Sequence, residues 1–111
     1  MKIYQVSIVI NAIDDDGRVT LGATTNIHRA MDIARLTYGI SQDAWNEMLD
    51  SYYIQQVRVV VNVYEENQIQ AELEDDSDTS IVLMNINQSK DFKWCIVNDY
   101  TEKVEETLCL D

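Results

Sequence analysis

Tyr52 to Tyr64 reads YYIQQVRVVVNVY, and the alternation of its side chains decides the fold. Tyr53, Val57, Val59, Val61 and Val63 share one parity, whereas Gln56, Arg58, Asn62 and Tyr64 share the other, with Val60 adding apolar character to the second set. A period of two marks a strand, because successive side chains point to opposite faces. β-Branched valines suit a pleated surface, and apolar character on both faces marks a strand central to its sheet.

Working outward toward the C-terminus, Glu65 to Asn67 (EEN) turns the chain, and Ile69, Ala71 and Leu73 resume alternation in a return strand. Ser80 to Ile86 (SIVLMNI) and Phe92 to Val97 (FKWCIV) read as two further strands joined by NQSKD. Hairpins in sequence imply antiparallel pairing. The tail, Asp99 to Asp111, reads either as a helix capped by Thr101 with Val104 and Leu108 inward, or as a frayed end.

Toward the N-terminus, Lys2 to Ile13 alternates and then runs apolar, as a buried strand does. Tyr4, Gln5 and Ser7 interrupt its apolar character and no small-residue cleavage site follows, so it does not read as a secretory signal. Asp14 to Gly17 (DDDG) has turn chemistry, with Gly17 free to take positive φ, and RVTL after it returns as a short second strand. Ile27, Ala30, Met31, Ala34 and Tyr38 lie on one helical face, with Thr25 as N-cap and Gly39 as a left-handed C-cap. Ser41 caps a shorter helix that turns Trp45, Met48 and Leu49 inward. The expected fold is a single α+β domain over residues 1–111. Its mostly antiparallel sheet has five or six strands, with two helices inserted after the first strand or hairpin and packed on one face.

Composition narrows the function. The 111 residues are 46% hydrophobic with no proline and three glycines, a globular composition. No run approaches the roughly 18 apolar residues of a membrane span, so the protein is expected to be soluble. Cys95 and Cys109 lack C-x-x-C spacing, which predicts two reduced thiols in a cytoplasmic protein. Net charge is −12, of which residues 65–111 carry −10. That sign repels nucleic acid and anionic membranes and favours basic partners or cations.

Catalytic motifs are missing. His28 is the single histidine; it lies four residues from Asp32, and nothing in the sequence positions a partner for it. Arg29 and Arg35 each lie three residues from Asp32 and read as local ion pairs. Gly17, Gly22 and Gly39 form no phosphate-binding pattern, and an EF-hand register on Asp14 and Asp16 would put Ala12 and Ala23 at ligand positions. The chain therefore reads as non-enzymatic, with neither cofactor nor metal.

What remains is charge. Glu65 to Ser80 carries seven acids and no lysine or arginine. Glu72, Glu74, Asp76 and Asp78 share a parity opposite to Ile69, Ala71 and Leu73. In an extended chain they stand in a row about 6.8 Å apart, of the order of the phosphate spacing along a nucleic-acid strand. Glu65, Glu66 and Asp75 widen the negative field, and Tyr64, Trp94 and Tyr100 are the candidate aromatic anchors of an interface. The same row also blunts an edge strand, a structural reason for it to exist. In size, charge and want of a catalytic motif the chain resembles the small acidic phage-encoded inhibitors of the anti-restriction and anti-CRISPR kind. The functional reading of the carboxylate row is a nucleic-acid mimic bound to a basic, nucleic-acid-binding protein. The rival expectations are self-association through the two-faced strand Tyr53 to Tyr64, as in a homodimer, and divalent-cation binding by Asp75, Asp76 and Asp78.

Overall fold

The strand deduced from the valine run lies at the middle of the sheet. A computed structural model describes residues 2–50, 53–65 and 80–109. In chain order the elements are β1 (Lys2–Ala12), β2 (Gly17–Thr24), α1 (Ile27–Arg35), a 3-10 turn (Leu36–Gly39), α2 (Gln42–Leu49), β3 (Ile54–Glu65), β4 (Ser80–Gln88), β5 (Trp94–Asp99) and α3 (Thr101–Cys109). The five strands form one antiparallel sheet in the order β2-β1-β3-β4-β5. The expected return strand at Ile69–Leu73 lies outside the described residues.

One face of the sheet carries the core. Ile8 pairs with Val59, Val6 with Val61 and Ile10 with Val57, and these six residues are buried. Met31, Ala34, Trp45 and Leu49 pack against them from α1 and α2. Burying a valine, isoleucine, leucine or methionine side chain contributes about 1.5–3 kcal/mol. On the other face Ser7, Val60, Asn62 and Tyr64 are buried too. Residues at the centre of the sheet are thus buried on both faces, as the apolar second parity of β3 led one to expect.

Local signals set the element ends, with instructive exceptions. Ser41 caps α2 as expected, its Oγ accepting from the Ala44 N–H at 3.2 Å. The cap of α1 is Asn26 rather than Thr25; its Oδ1 accepts from the N–H groups of His28 and Arg29 at 2.9 and 3.2 Å. α1 stops at Arg35 and tightens into the 3-10 turn, which carries Tyr38 off the core face and leaves it 59% exposed. Gly39 and Gly17 keep negative φ; the left-handed residue is Phe92, at φ 61°, in the turn between β4 and β5. Gly22 has a packing reason instead, since a Cβ there would meet Ile33 Cδ1 of α1 at 3.3 Å.

Bulges break the alternation. Val59 pairs with Met84 but Val60 with Val82, so Leu83 is an extra residue in β4, and both Leu83 and Met84 are buried. The tail resolves as the helix α3, with Val104 and Leu108 half-buried against the core. Thr101, expected as its cap, is instead its first residue, and Asp99 holds that turn, its Oδ1 accepting from the Thr101 N–H and hydroxyl at 2.9 and 2.7 Å.

Candidate functional site

The acidic connection springs from two neighbouring strands. β3 ends at Glu65 and β4 begins at Ser80, and Asn62 pairs directly with Ser80. Residues 66–79, which join them, lie outside the described residues. With them go Glu66, Glu72, Glu74, Asp75, Asp76 and Asp78, and hence the row of carboxylates and the cation-binding alternative. Glu65 is described: it is exposed at the end of β3, in register with Lys2 of β1.

The strand feet on which this connection stands are tied by a polar network. Arg18 of β2 donates to Asn62 Oδ1 at 3.0 Å, and Asn62 Nδ2 donates to Ser80 Oγ at 2.7 Å. Arg58 donates to Asn11 Oδ1 at 2.9 Å on the same face. A cavity of about 410 Å³ opens there, with Asn11, Asp16, Arg18, Arg58 and Ser80 in its wall. Bonds that cross three strands hold Ser80 in place relative to Asn62.

The three aromatic candidates separate. Tyr64 is buried, at 1% exposure, and so offers no anchor; its parity places it on the second sheet face, which is closed at this point. Trp94 is half-buried and pairs with Gln88, at the far end of β4 from Ser80. Eight residues of strand separate those ends, roughly 26 Å. Tyr100 is the one placed toward the Ser80 end of β4: its N–H donates to Leu83 O at 2.7 Å and the residue is 40% exposed. It lines an apolar groove of about 250 Å³ with Ile81, Val82, Val104 and Leu108. This groove, next to Ser80, was not legible in the sequence, because it forms only where α3 folds back on β4.

β3 is paired by β1 along its length and by β4 over Val57–Asn62. β5 is an edge strand, but part of its edge is occupied. The Gln42 amide of α2 donates to Trp94 O at 2.7 Å and accepts from the Trp94 N–H at 2.8 Å, as a neighbouring strand would.

The remaining chemistry-bearing side chains are spread out. Asp14–Asp16 make a turn in which Asp16 Oδ1 accepts from the Ala12 N–H at 3.2 Å. Arg35 pairs with Asp32 at 3.3 Å, as the i, i+3 spacing predicted. Among the described residues no three His, Cys, Asp or Glu side chains converge as metal ligands. Nor is any described helix long and apolar enough to cross a membrane. Cys95 and Cys109 are exposed free thiols. His28, expected to stand alone, instead meets α3: its Nδ1 lies 3.6 Å from Glu105 Oε1 and its Nε2 3.5 Å from Cys109 Sγ.

The described residues thus form a five-stranded antiparallel sheet with helices, an α+β fold. No protein-family model, curated protein or solved structure matches it.

Proposed function

We propose that the protein is a non-enzymatic binding protein that presents carboxylates to a basic protein surface, of the kind a nucleic-acid-binding protein uses to hold phosphates. The observation that carries this reading is the pairing of Asn62 with Ser80, which roots a connection of six acids and no base between two interior strands, beside an exposed apolar groove. Charge and groove have complementary uses. Carboxylates steer a basic partner from a distance and speed encounter in a salt-sensitive way. A groove flanked by an exposed tyrosine supplies the short-range anchor that charge alone lacks. Occupying a basic surface in this way excludes nucleic acid from it by sterics and charge, without chemistry.

The test is capture of binding proteins from the cells that make the chain, at about 50 and 500 mM salt, where screening differs several-fold. The variant changes Glu72, Glu74, Asp76 and Asp78 together to Gln or Asn. A captured protein that is basic, is released by high salt and is lost with the variant supports the proposal, provided urea unfolding of parent and variant is alike. Capture that survives the variant with unchanged salt dependence overturns it.

A further inference from the structure

Packing of α1 against α3 brings together three side chains that no sequence pattern links. His28 and Cys109 are 81 residues apart, and Glu105 precedes Cys109 by one helical turn, so the two bracket the His28 ring from the same face of α3. His28 Nδ1 faces Glu105 Oε1 at 3.6 Å and Nε2 faces Cys109 Sγ at 3.5 Å. A carboxylate on the Nδ1 side favours the tautomer that carries its proton there, which leaves the Nε2 lone pair directed at the thiol. This is the order of parts in an activated nucleophile: sulfur, base, and a group that orients the base.

The setting selects the reaction. The His28 side chain is 61% exposed and Cys109 is exposed as well, so water is not excluded. Acyl transfer relies on fixed donors for a developing oxyanion in a dry site. Thiol–disulfide exchange needs neither; it needs a sulfur nucleophile, access for in-line approach, and somewhere for the thiol proton to go. All three are present at Cys109.

We propose that Cys109 is a site of covalent modification by low-molecular-weight disulfides, with His28 as its general base and Glu105 as the residue that positions the ring. Cys109 Sγ–H gives its proton to His28 Nε2 as the sulfur attacks one sulfur of the disulfide. The disulfide bond breaks, and the departing thiolate takes the proton from His28 and leaves as a free thiol. Cys109 is left as a mixed disulfide. The disulfide is the only oxidant required, and a free thiol in excess reverses the step.

Cys95 provides an internal control, since it is also an exposed thiol but its sulfur contacts the Lys93 carbonyl oxygen, at 3.7 Å, rather than a base. The experiment treats the folded chain at pH 7 with 2,2′-dithiodipyridine, a neutral disulfide that the protein's charge does not repel. Site-resolved mass spectrometry then follows both cysteines in the same molecules. Cys109 is expected to react about tenfold faster than Cys95, below the range for general bases in closed sites. His28→Gln should bring Cys109 down to the Cys95 rate without changing Cys95, and Glu105→Gln should slow Cys109 part of the way. Equal rates in the parent, or a Cys109 rate indifferent to His28→Gln, would overturn the proposal. Urea unfolding that is alike in parent and variants reports that the variants are folded.

Discussion

Tyr38 shows how a single side chain can leave the role its position in a periodic pattern suggests. It falls on the apolar face of α1 by spacing, but that spacing holds only while the helix continues, and α1 tightens at Leu36. The ring swings outward and its hydroxyl donates to Asp99 Oδ2 at 2.7 Å, across 61 residues of chain. Burial alone would raise the Asp99 pKa. The bonds from the Thr101 hydroxyl and N–H and from Tyr38 outweigh it, and hold the carboxyl below its ordinary value. The Tyr38 phenol is shifted upward, first by the same bond and then by burial and the Asp99 charge, with Arg35 acting the other way. A lowered carboxylate contributes stability above the unfolded value, about pH 4, and loses it as pH falls through the folded value. The raised phenol contributes below about pH 10 and loses that contribution as pH rises further. Tyr38→Phe should therefore cost about 0.5 kcal/mol at pH 7, a low figure because the pair is exposed. Urea titrations should show that the gap from the parent narrows as pH falls below about 4. Asp99→Ala, which also removes the bonds to the Thr101 N–H and hydroxyl at the start of α3, should cost more, about 1 kcal/mol.

Elements were legible where one periodicity ran uninterrupted. The valines of β3 announced a central strand, and Ile27, Ala30, Met31 and Ala34 announced the buried face of α1; all four are buried. Bulges were not legible, since one inserted residue shifts parity without any change in composition. Leu83 and Met84 are adjacent and both fully buried. Strict alternation would make one of the two tolerant of truncation. The structure predicts instead that Leu83→Ala and Met84→Ala each cost about 2–5 kcal/mol, measured by urea unfolding. The cover of β5 was equally hidden, because it depends on the reach of one side chain from α2. Gln42→Ala removes both bonds to the Trp94 backbone and should cost about 1–3 kcal/mol. Amide exchange at Trp94 should quicken in that variant beyond what the global loss of stability explains, because the edge is opened locally.

Across the whole molecule, charge and fold answer different questions. Packing explains the sheet and its helices, whereas the concentration of −10 in residues 65–111 is a property of the sequence. The proposed interface was legible in the sequence as charge, and Tyr100 was legible as an aromatic. The apolar groove beside it was not, because Ile81 and Leu108 meet only through α3. The His28–Glu105–Cys109 arrangement was invisible for the same reason, as partners that lie on separate helices leave no spacing to read. In the proposed function the acids between β3 and β4 act by position and not merely by adding to net charge. A charge-matched comparison tests it most directly. One variant neutralises Glu72, Glu74, Asp76 and Asp78; the other neutralises Asp14, Asp15, Asp43 and Glu47, exposed acids elsewhere in the chain. Both have the same net charge, and their affinity for a captured basic partner is measured at a single salt concentration. The account predicts that the first variant loses binding and the second keeps it to within a few-fold, since remote exposed charges are largely screened beyond about 10 Å. Equal losses in the two variants would contradict it, as binding would then follow total charge alone.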